Sequence, residues 1–385
     1  MIITPATRLD SVKEYYFSIK LKQLRSLLAE GKEIINLGIG SPDLAPDGTV
    51  VQAMVDTATT PSNHGYQSYV GLPEFRAQIA AWYKRIYNIE VDKASEILPL
   101  IGSKEGIMHI SMAFLNKGDK VLIPNPGYPT YASVSDLVQA DVVAYSLNDK
   151  WQPDMEELKK HTDAKILWVN YPNMPTGTRA DKKVLKELIA FCKENKILLV
   201  NDNPYSLILN DEEPFSIFQL EGAREVALEL NSMSKSHNMA GWRVGMLVGD
   251  QAYIQTILKV KSNMDSGMFK GTQYAAMEGL KLDLKWHQDQ NKIYATRRDI
   301  AWDIFDALDI GYSRDIVGMF VWGKVPDGVT NTEKFVDEIL DKTEVFITPG
   351  FIFGSKGERY IRISLCSKEN VLVTALKRIQ SWKAS

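Results

Sequence analysis

The sequence predicts an α/β protein: a large three-layer α/β/α domain with a mostly parallel sheet, accompanied by a smaller α+β domain. Between about residues 95 and 250, short apolar, β-rich runs alternate with amphipathic helical patterns. Strands too apolar to face water on either side belong to parallel sheets covered by helices on both faces. Beyond residue 270 the pattern changes to a long helical stretch, then three strands and a last helix. The chain has 385 residues, 45% hydrophobic and 24% charged, which is ample for more than one core at roughly 150 residues per domain.

In chain order, residues 20–30 (KLKQLRSLLAE) read as a helix, and residues 34–40 (IINLGIG) as the segment joining the domains. Strands are expected at 97–101, 120–123, 142–147, 166–170, 197–201, 226–231 and 244–248, with helices at 105–115 and 181–195. The second of these helices places Val184, Leu188 and Phe191 on one face, the helical period. Residues 273–308 read as one long helix, 317–325, 344–350 and 360–366 as strands, and 371–382 as the closing helix. The expected division is 1–45 as an N-terminal arm and part of the small domain, 46–280 as the large domain, and 281–385 as a linking helix and small C-terminal domain.

Composition removes several function classes. Forty-five basic against 48 acidic residues leave a formal charge of −3, no field for a nucleic-acid backbone or an anionic membrane. No apolar run reaches the ~18 residues of a membrane span, and the start carries Asp10, Lys13 and Glu14 where a secretory segment needs apolar continuity. Cys192 and Cys366 are the only cysteines and form no CxxC pair, which suits a reducing compartment and a cytoplasmic location. The histidines at 64, 109, 161, 237 and 287 form no HxH or HExxH pair, so no catalytic metal is expected.

The loops after the apolar runs hold the unusual chemistry: Gly102-Ser103-Lys104, Pro124-Asn125-Pro126, Asn173-Met174-Pro175-Thr176-Gly177, Asp202, and Ser232-Met233-Ser234-Lys235. Ligands of open α/β sheets bind beyond the carboxyl ends of strands, which gathers these loops into one candidate site. Taken alone, a serine-rich turn is usually a helix cap, and an aspartate at a strand end is usually a turn former. The spacing around Lys235 changes the balance. In S-M-S-K-S-H-N-M-A-G-W-R-V-G, Ser232 precedes that lysine by three residues and Arg243 follows it by eight.

This segment resembles the Schiff-base segment of class I/II pyridoxal-phosphate aminotransferases, the fold type I family. The resemblance implies that Lys235 holds the aldehyde of pyridoxal 5'-phosphate and that Ser232 and Arg243 bind its phosphate. N-L-G-I-G-S-P-D, with Gly40, resembles the loop that closes over the substrate. Asn63-His64-Gly65-Tyr66, followed by Gly71 and Arg76, resembles a segment whose tyrosine reaches the partner's phosphate in a homodimer with shared active sites. Gly102-Ser103-Lys104-Glu105-Gly106 resembles the phosphate cup, where small residues at a helix start expose N–H groups to an anion. Tyr128 matches the aromatic that stacks on the pyridine ring, and Asp202 and Tyr205 in N-D-N-P-Y match the contacts to ring nitrogen and ring hydroxyl. An aspartate beside that nitrogen keeps it protonated, so the ring can accept an electron pair. Arg362 in E-R-Y-I-R-I-S-L matches the arginine that grips the substrate α-carboxylate, for which a guanidinium fork is suited. Arg359 is the more solvated alternative.

The pattern departs from the family at Met174, where an asparagine usually precedes the proline. A thioether cannot act as an amide donor, so either Asn173 is presented to the cofactor instead or Tyr205 serves the ring hydroxyl alone. No arginine lies between Arg243 and Arg297, where the best-known aspartate aminotransferases carry the one that clamps a distal carboxylate. G-S-K-E-G and S-K-S-H-N-M-A-G-W-R look nearest to the branch of LL-diaminopimelate and alanine aminotransferases. This implies a neutral, aromatic or amino-bearing donor paired with 2-oxoglutarate or pyruvate. The expected activity is ping-pong transamination between small-molecule amino and keto acids. A C–S lyase acting on sulfur amino acids would share the same motifs, while a pyridoxal-phosphate-binding regulator would need a DNA-binding module.

Overall fold

The computed structural model describes residues 3–10 and 16–385; Lys13 and Glu14, used above against a secretory start, lie outside them. At its centre is a seven-stranded sheet. In spatial order the strands are Ile97–Leu100, Gly245–Gly249, Ala227–Ser232, Leu198–Asp202, Ile166–Val169, Lys120–Asn125 and Asp141–Ser146. From Ala227–Ser232 onward they run parallel, and Gly245–Gly249 is antiparallel to both its neighbours. Each run expected as a strand between residues 95 and 250 is one, its ends shifted by one or two residues.

Alternation along the strands explains why helices cover both faces. Leu167 and Val169 join Trp82 of helix Pro73–Tyr87 and Leu188 of helix Lys182–Asn195 in one core. Ile166 and Trp168 point the other way, to Ile107 of helix Ser103–Phe114 and Ile254 of helix Gln251–Lys261. Both faces are therefore apolar and buried, giving three layers.

A second core surrounds a four-stranded antiparallel sheet in the order Thr348–Pro349, Tyr360–Ser364, Phe320–Lys324, Gly311–Tyr312. Helices Leu284–Ala307, Thr332–Thr343 and Glu369–Lys383 contribute Phe305, Ile339 and Leu372 to it. Two expectations need correction here. The long helical stretch is two helices, Lys270–Lys281 and Leu284–Ala307, because Asp283 leaves the helical conformation and caps the second by accepting from Trp286 N at 2.9 Å. Residues 344–350 are not one strand: Val345–Phe346 pairs with Ile35–Asn36, while Thr348–Pro349 joins the four-stranded sheet.

The topology fixes where the polar loops meet. Parallel strands bring the carboxyl ends at Asn125, Val169, Asp202 and Ser232 to one edge. Two successive antiparallel steps restore the same direction in Ile97–Leu100, so its carboxyl end, leading into Gly102, lies there as well. Arg243 enters that edge just before strand Gly245–Gly249 begins.

Candidate active site at the strand ends

A cavity of about 350 Å³ opens at this edge, walled on its far side by Phe320 and Arg362 of the smaller sheet. Every expected site residue except Asn173 and Tyr66 lines it. Asn170, Met174, Pro204, Ser234, Ala240 and Phe320 complete the wall.

Asp202 ends its strand with its carboxylate buried. Tyr131 donates its phenol O–H to Oδ2 at 2.8 Å, and Oδ1 is buried without a partner. Burial pushes the Asp202 carboxyl up to about 6 against the smaller lowering by Tyr131. An anionic oxygen with an empty hydrogen-bond position selects a cationic or N–H-bearing partner within the cavity. Beside it, Asn170 spans two loops: Nδ2 donates to Asp202 O at 2.6 Å, and Oδ1 accepts from Met174 N at 2.8 Å.

Lys235 sits in the short helix Met233–Ser236 that follows strand Ala227–Ser232. Its Nζ donates to the carbonyl of Gly40, and burial lowers its pKa from the ordinary lysine value. Ser232 does act as a cap, its Oγ accepting from Ser234 N at 3.2 Å, and also faces the cavity. Helix Ser103–Phe114 starts from Gly102, which offers no capping side chain. No side chain therefore caps its first N–H groups, at an edge lined by Ser103, Lys104 and Arg243. Gly102 adopts φ +81°, and a Cβ there would run into the Arg243 guanidinium, so the close approach requires glycine.

Arg362 is 6% exposed and lies over the rings of Phe320 and Phe353, at 3.9 and 4.6 Å from their centroids. Nη2 donates to Gly38 O at 2.9 Å and Nη1 to Met174 Sδ at 3.3 Å. Asn173 does not line the cavity, and its amide Nδ2 is buried without a partner. Its Oδ1 accepts from Thr176 Oγ1 at 2.7 Å inside its own loop, and it is the thioether of Met174 that reaches the cavity. Tyr66, at 92% exposure, lies outside this cavity. Arg359 instead ties backbone carbonyls, donating to Pro326 O at 2.7 Å.

Three contributors were missed in the sequence. Asn170 closes an expected strand and could have been suspected from that position. Tyr131 and Phe320 gave no local signal, because their roles depend on packing between distant segments. Glu105, His109 and Asp265 also bring ligand-type atoms within 4.8 Å of one another, although no histidine motif announced them. Asp265 is already paired with Lys261 at 2.6 Å.

Residues 32–379 match the family described as aminotransferase class I and II. The chain belongs to the class I and II aminotransferases. It is 38% identical over 380 residues to the LL-diaminopimelate aminotransferase of Nitratidesulfovibrio vulgaris (strain Miyazaki F), covering 97% of this chain and 98% of that protein. The substrate-bound structure of BacF from Bacillus subtilis superposes with a TM-score of 0.93 at 34% identity, covering 99% of this chain and 98% of that one. A probable N-succinyldiaminopimelate aminotransferase from Thermus thermophilus superposes at 0.88 with 30% identity, over 95% and 99% of the two chains.

Class I and II aminotransferases work with pyridoxal 5'-phosphate, and this cavity fits that group. The unpartnered Asp202 Oδ1 suits a protonated ring nitrogen, the uncapped start at Ser103 with Arg243 alongside suits a phosphate, and Tyr128 offers an aromatic face. The Lys235 amine lies in the same space.

Proposed function

We propose that this chain is a pyridoxal-phosphate-dependent aminotransferase that moves an amino group between an α-amino acid and an α-keto acid by a ping-pong route. The observation that carries the reading is the convergence of Lys235, Asp202, Arg243 and Arg362 on one cavity. Bound there, pyridoxal phosphate supplies an aldehyde that takes up the amino group and a ring that draws electrons from the substrate Cα.

The chain's own groups would do the rest. Ser103, Lys104, Ser232 and Arg243 would hold the phosphate by N–H and charge-assisted contacts. Asp202, fixed by Tyr131, would bond the ring nitrogen and keep it protonated. Burial raises the Tyr205 phenol above its ordinary range, which keeps it a hydrogen-bond donor, and with Met174 in place of an amide it would serve the ring hydroxyl without help from Asn173. Arg362 would take the α-carboxylate, with Gly40 opposite. Lowered by burial, the Lys235 amine would be free to accept the Cα proton and return it to the carbon two atoms away, beyond the substrate nitrogen.

We extend the proposal to a homodimer in which Tyr66, exposed on this chain, completes the partner's phosphate site. The proposed location is cytoplasmic, supported by two buried, unpaired cysteines. The proposed boundaries are an arm and part of the small domain at 1–45, a cofactor-binding domain at 46–280 and the remainder at 281–385; one core draws its buried residues from Val50 to Leu280, and the second mainly from Tyr294 to Ile379, with Met174, Tyr205, Ile208 and Leu209 joining it from the larger part. For substrate, the cavity has Arg362 and Arg243 as its guanidinium groups and Lys104 as a flexible cation. An ammonium grips a distal carboxylate less selectively than a fork. The proposed donor is therefore neutral, aromatic or amino-bearing, paired with 2-oxoglutarate or pyruvate.

The test is a panel of alanine, tyrosine, LL-diaminopimelate, glutamate, aspartate and cystathionine, scoring keto acid against ammonia and thiol. Keto acid is the expected product. Ammonia and thiol from cystathionine would establish a C–S lyase instead. Aspartate preferred over every other donor by ~100-fold, worth about 2.7 kcal/mol, would reject the donor class.

A further inference from the structure

Residues 38–43 run along one side of the cavity, Gly40 lining it and Ile39 facing solvent. The N-terminal end of this segment is tied to strand Tyr360–Ser364: Ser364 N donates to Leu37 O at 2.8 Å, and Arg362 Nη2 to Gly38 O at 2.9 Å. Gly38 has no room to move inward, since even a Cβ would press on Thr348 and Phe346.

The other end is held by a buried arginine. Arg297, on helix Leu284–Ala307, is 3% exposed and grips both oxygens of Asp43, Nη1 to Oδ1 at 2.6 Å and Nη2 to Oδ2 at 3.0 Å. The same Nη1 donates to Leu365 O at 3.1 Å, just beyond the strand that carries Arg362. Among the described residues, Asp43 is the one ion-pair partner of Arg297, whose Nε is buried without an acceptor. Lifting Asp43 away would strand a buried guanidinium, which is far more costly than breaking an exposed pair.

One guanidinium therefore ties together the segment bearing Gly40 and the strand bearing Arg362. We propose that Arg297 and Asp43 are positioning residues for the carboxylate end of the cavity. They pin residues 38–43 so that Gly40 and Arg362 stay opposed around a bound acid. The inference rests on the aminotransferase reading for the identity of that acid; the pinning itself is read by a separate measurement.

Asp43→Asn keeps shape and removes charge, while Arg297→Lys keeps charge and removes the fork. In pyridoxal-phosphate-loaded, full-length protein, each should raise KM for donor and keto acid by ~10-fold or more and change kcat by less than ~3-fold, the pattern of lost uniform binding. Cofactor affinity should stay within ~2-fold of wild type. The double variant Asp43→Asn/Arg297→Lys should be no worse than the poorer single variant, because the two act as a unit. Hydrogen exchange should quicken ~10-fold or more in the amides of residues 38–43 and not in strand Leu198–Asp202. A KM within ~2-fold of wild type, unchanged exchange at 38–43, or equal losses of cofactor and substrate affinity would overturn the proposal. If the wild type transaminates no donor, the functional reading fails, and exchange at 38–43 still decides the pinning.

Discussion

Tyr131 holds one oxygen of Asp202 at 2.8 Å and leaves the other, buried and unpartnered, to whatever fills the cavity. The phenol is itself fixed, stacked on Trp168 with ring centroids 4.9 Å apart and 11° between planes. A core aromatic thus aims the acidic group, and the direction of the unpartnered oxygen is set before any ligand arrives.

This arrangement makes a prediction about pH. In cofactor-free protein the Asp202 carboxyl is raised from 3.8 to about 6 by burial, so the native state binds a proton more readily than the unfolded chain across that interval. Stability then falls as pH rises from ~4 to ~6, by about 3 kcal/mol for this group. Urea unfolding of cofactor-free wild type and Asp202→Asn should show that slope in the wild type and its loss in the variant. With cofactor loaded, Asp202→Asn should lower turnover by ~10³, about 4 kcal/mol of transition-state stabilisation. Near-normal turnover would reduce Asp202 to a turn residue.

Gly102→Ala tests the phosphate end. At φ +81°, with its Cβ directed into Arg243, alanine must displace the guanidinium or the helix start. Cofactor dissociation measured by fluorescence titration should rise ~10-fold to ~100-fold, about 1.4 to 2.7 kcal/mol, while the far-UV circular dichroism spectrum stays that of the wild type. Unchanged affinity would separate Arg243 and this helix start from the phosphate.

Tyr66 tests the shared site. Tyr66→Phe and Lys235→Ala should each be impaired as homodimers, and subunit exchange should restore activity in the heterodimer, where one of the two sites has both residues intact. A verified heterodimer with no gain would place Tyr66 outside the partner's site.

The large sheet was legible because its chemistry is local. Runs such as Ile166–Val169, buried on both faces, announce a strand covered by helices on both sides, and the loops following them could be read in order. Lys235 and Arg243 were legible in one contiguous segment, while Asp202 and Arg362 were assigned by the resemblance, from N-D-N-P-Y and E-R-Y-I-R-I-S-L. The break at Asp283 was hidden because its cap competes with a helical period that continues on both sides. The division of residues 344–350 between two sheets was hidden for another reason: neighbouring two-residue strands choose partners over 300 residues away at Ile35 and nearby at Arg362. At residue 174 the sequence left two outcomes open. In the structure Asn173 Oδ1 bonds within its own loop while Nδ2 stays buried and unpartnered, and Met174 lies against Arg362.

The central claim is that Lys235 is the residue that carries the cofactor. Borohydride reduction of pyridoxal-phosphate-loaded protein, followed by peptide mapping, tests it most directly. The label should fall on Lys235, and Lys235→Ala should retain none after reduction and dialysis. A label on Lys104 or any other lysine, or cofactor fixed by reduction in Lys235→Ala, would contradict the account.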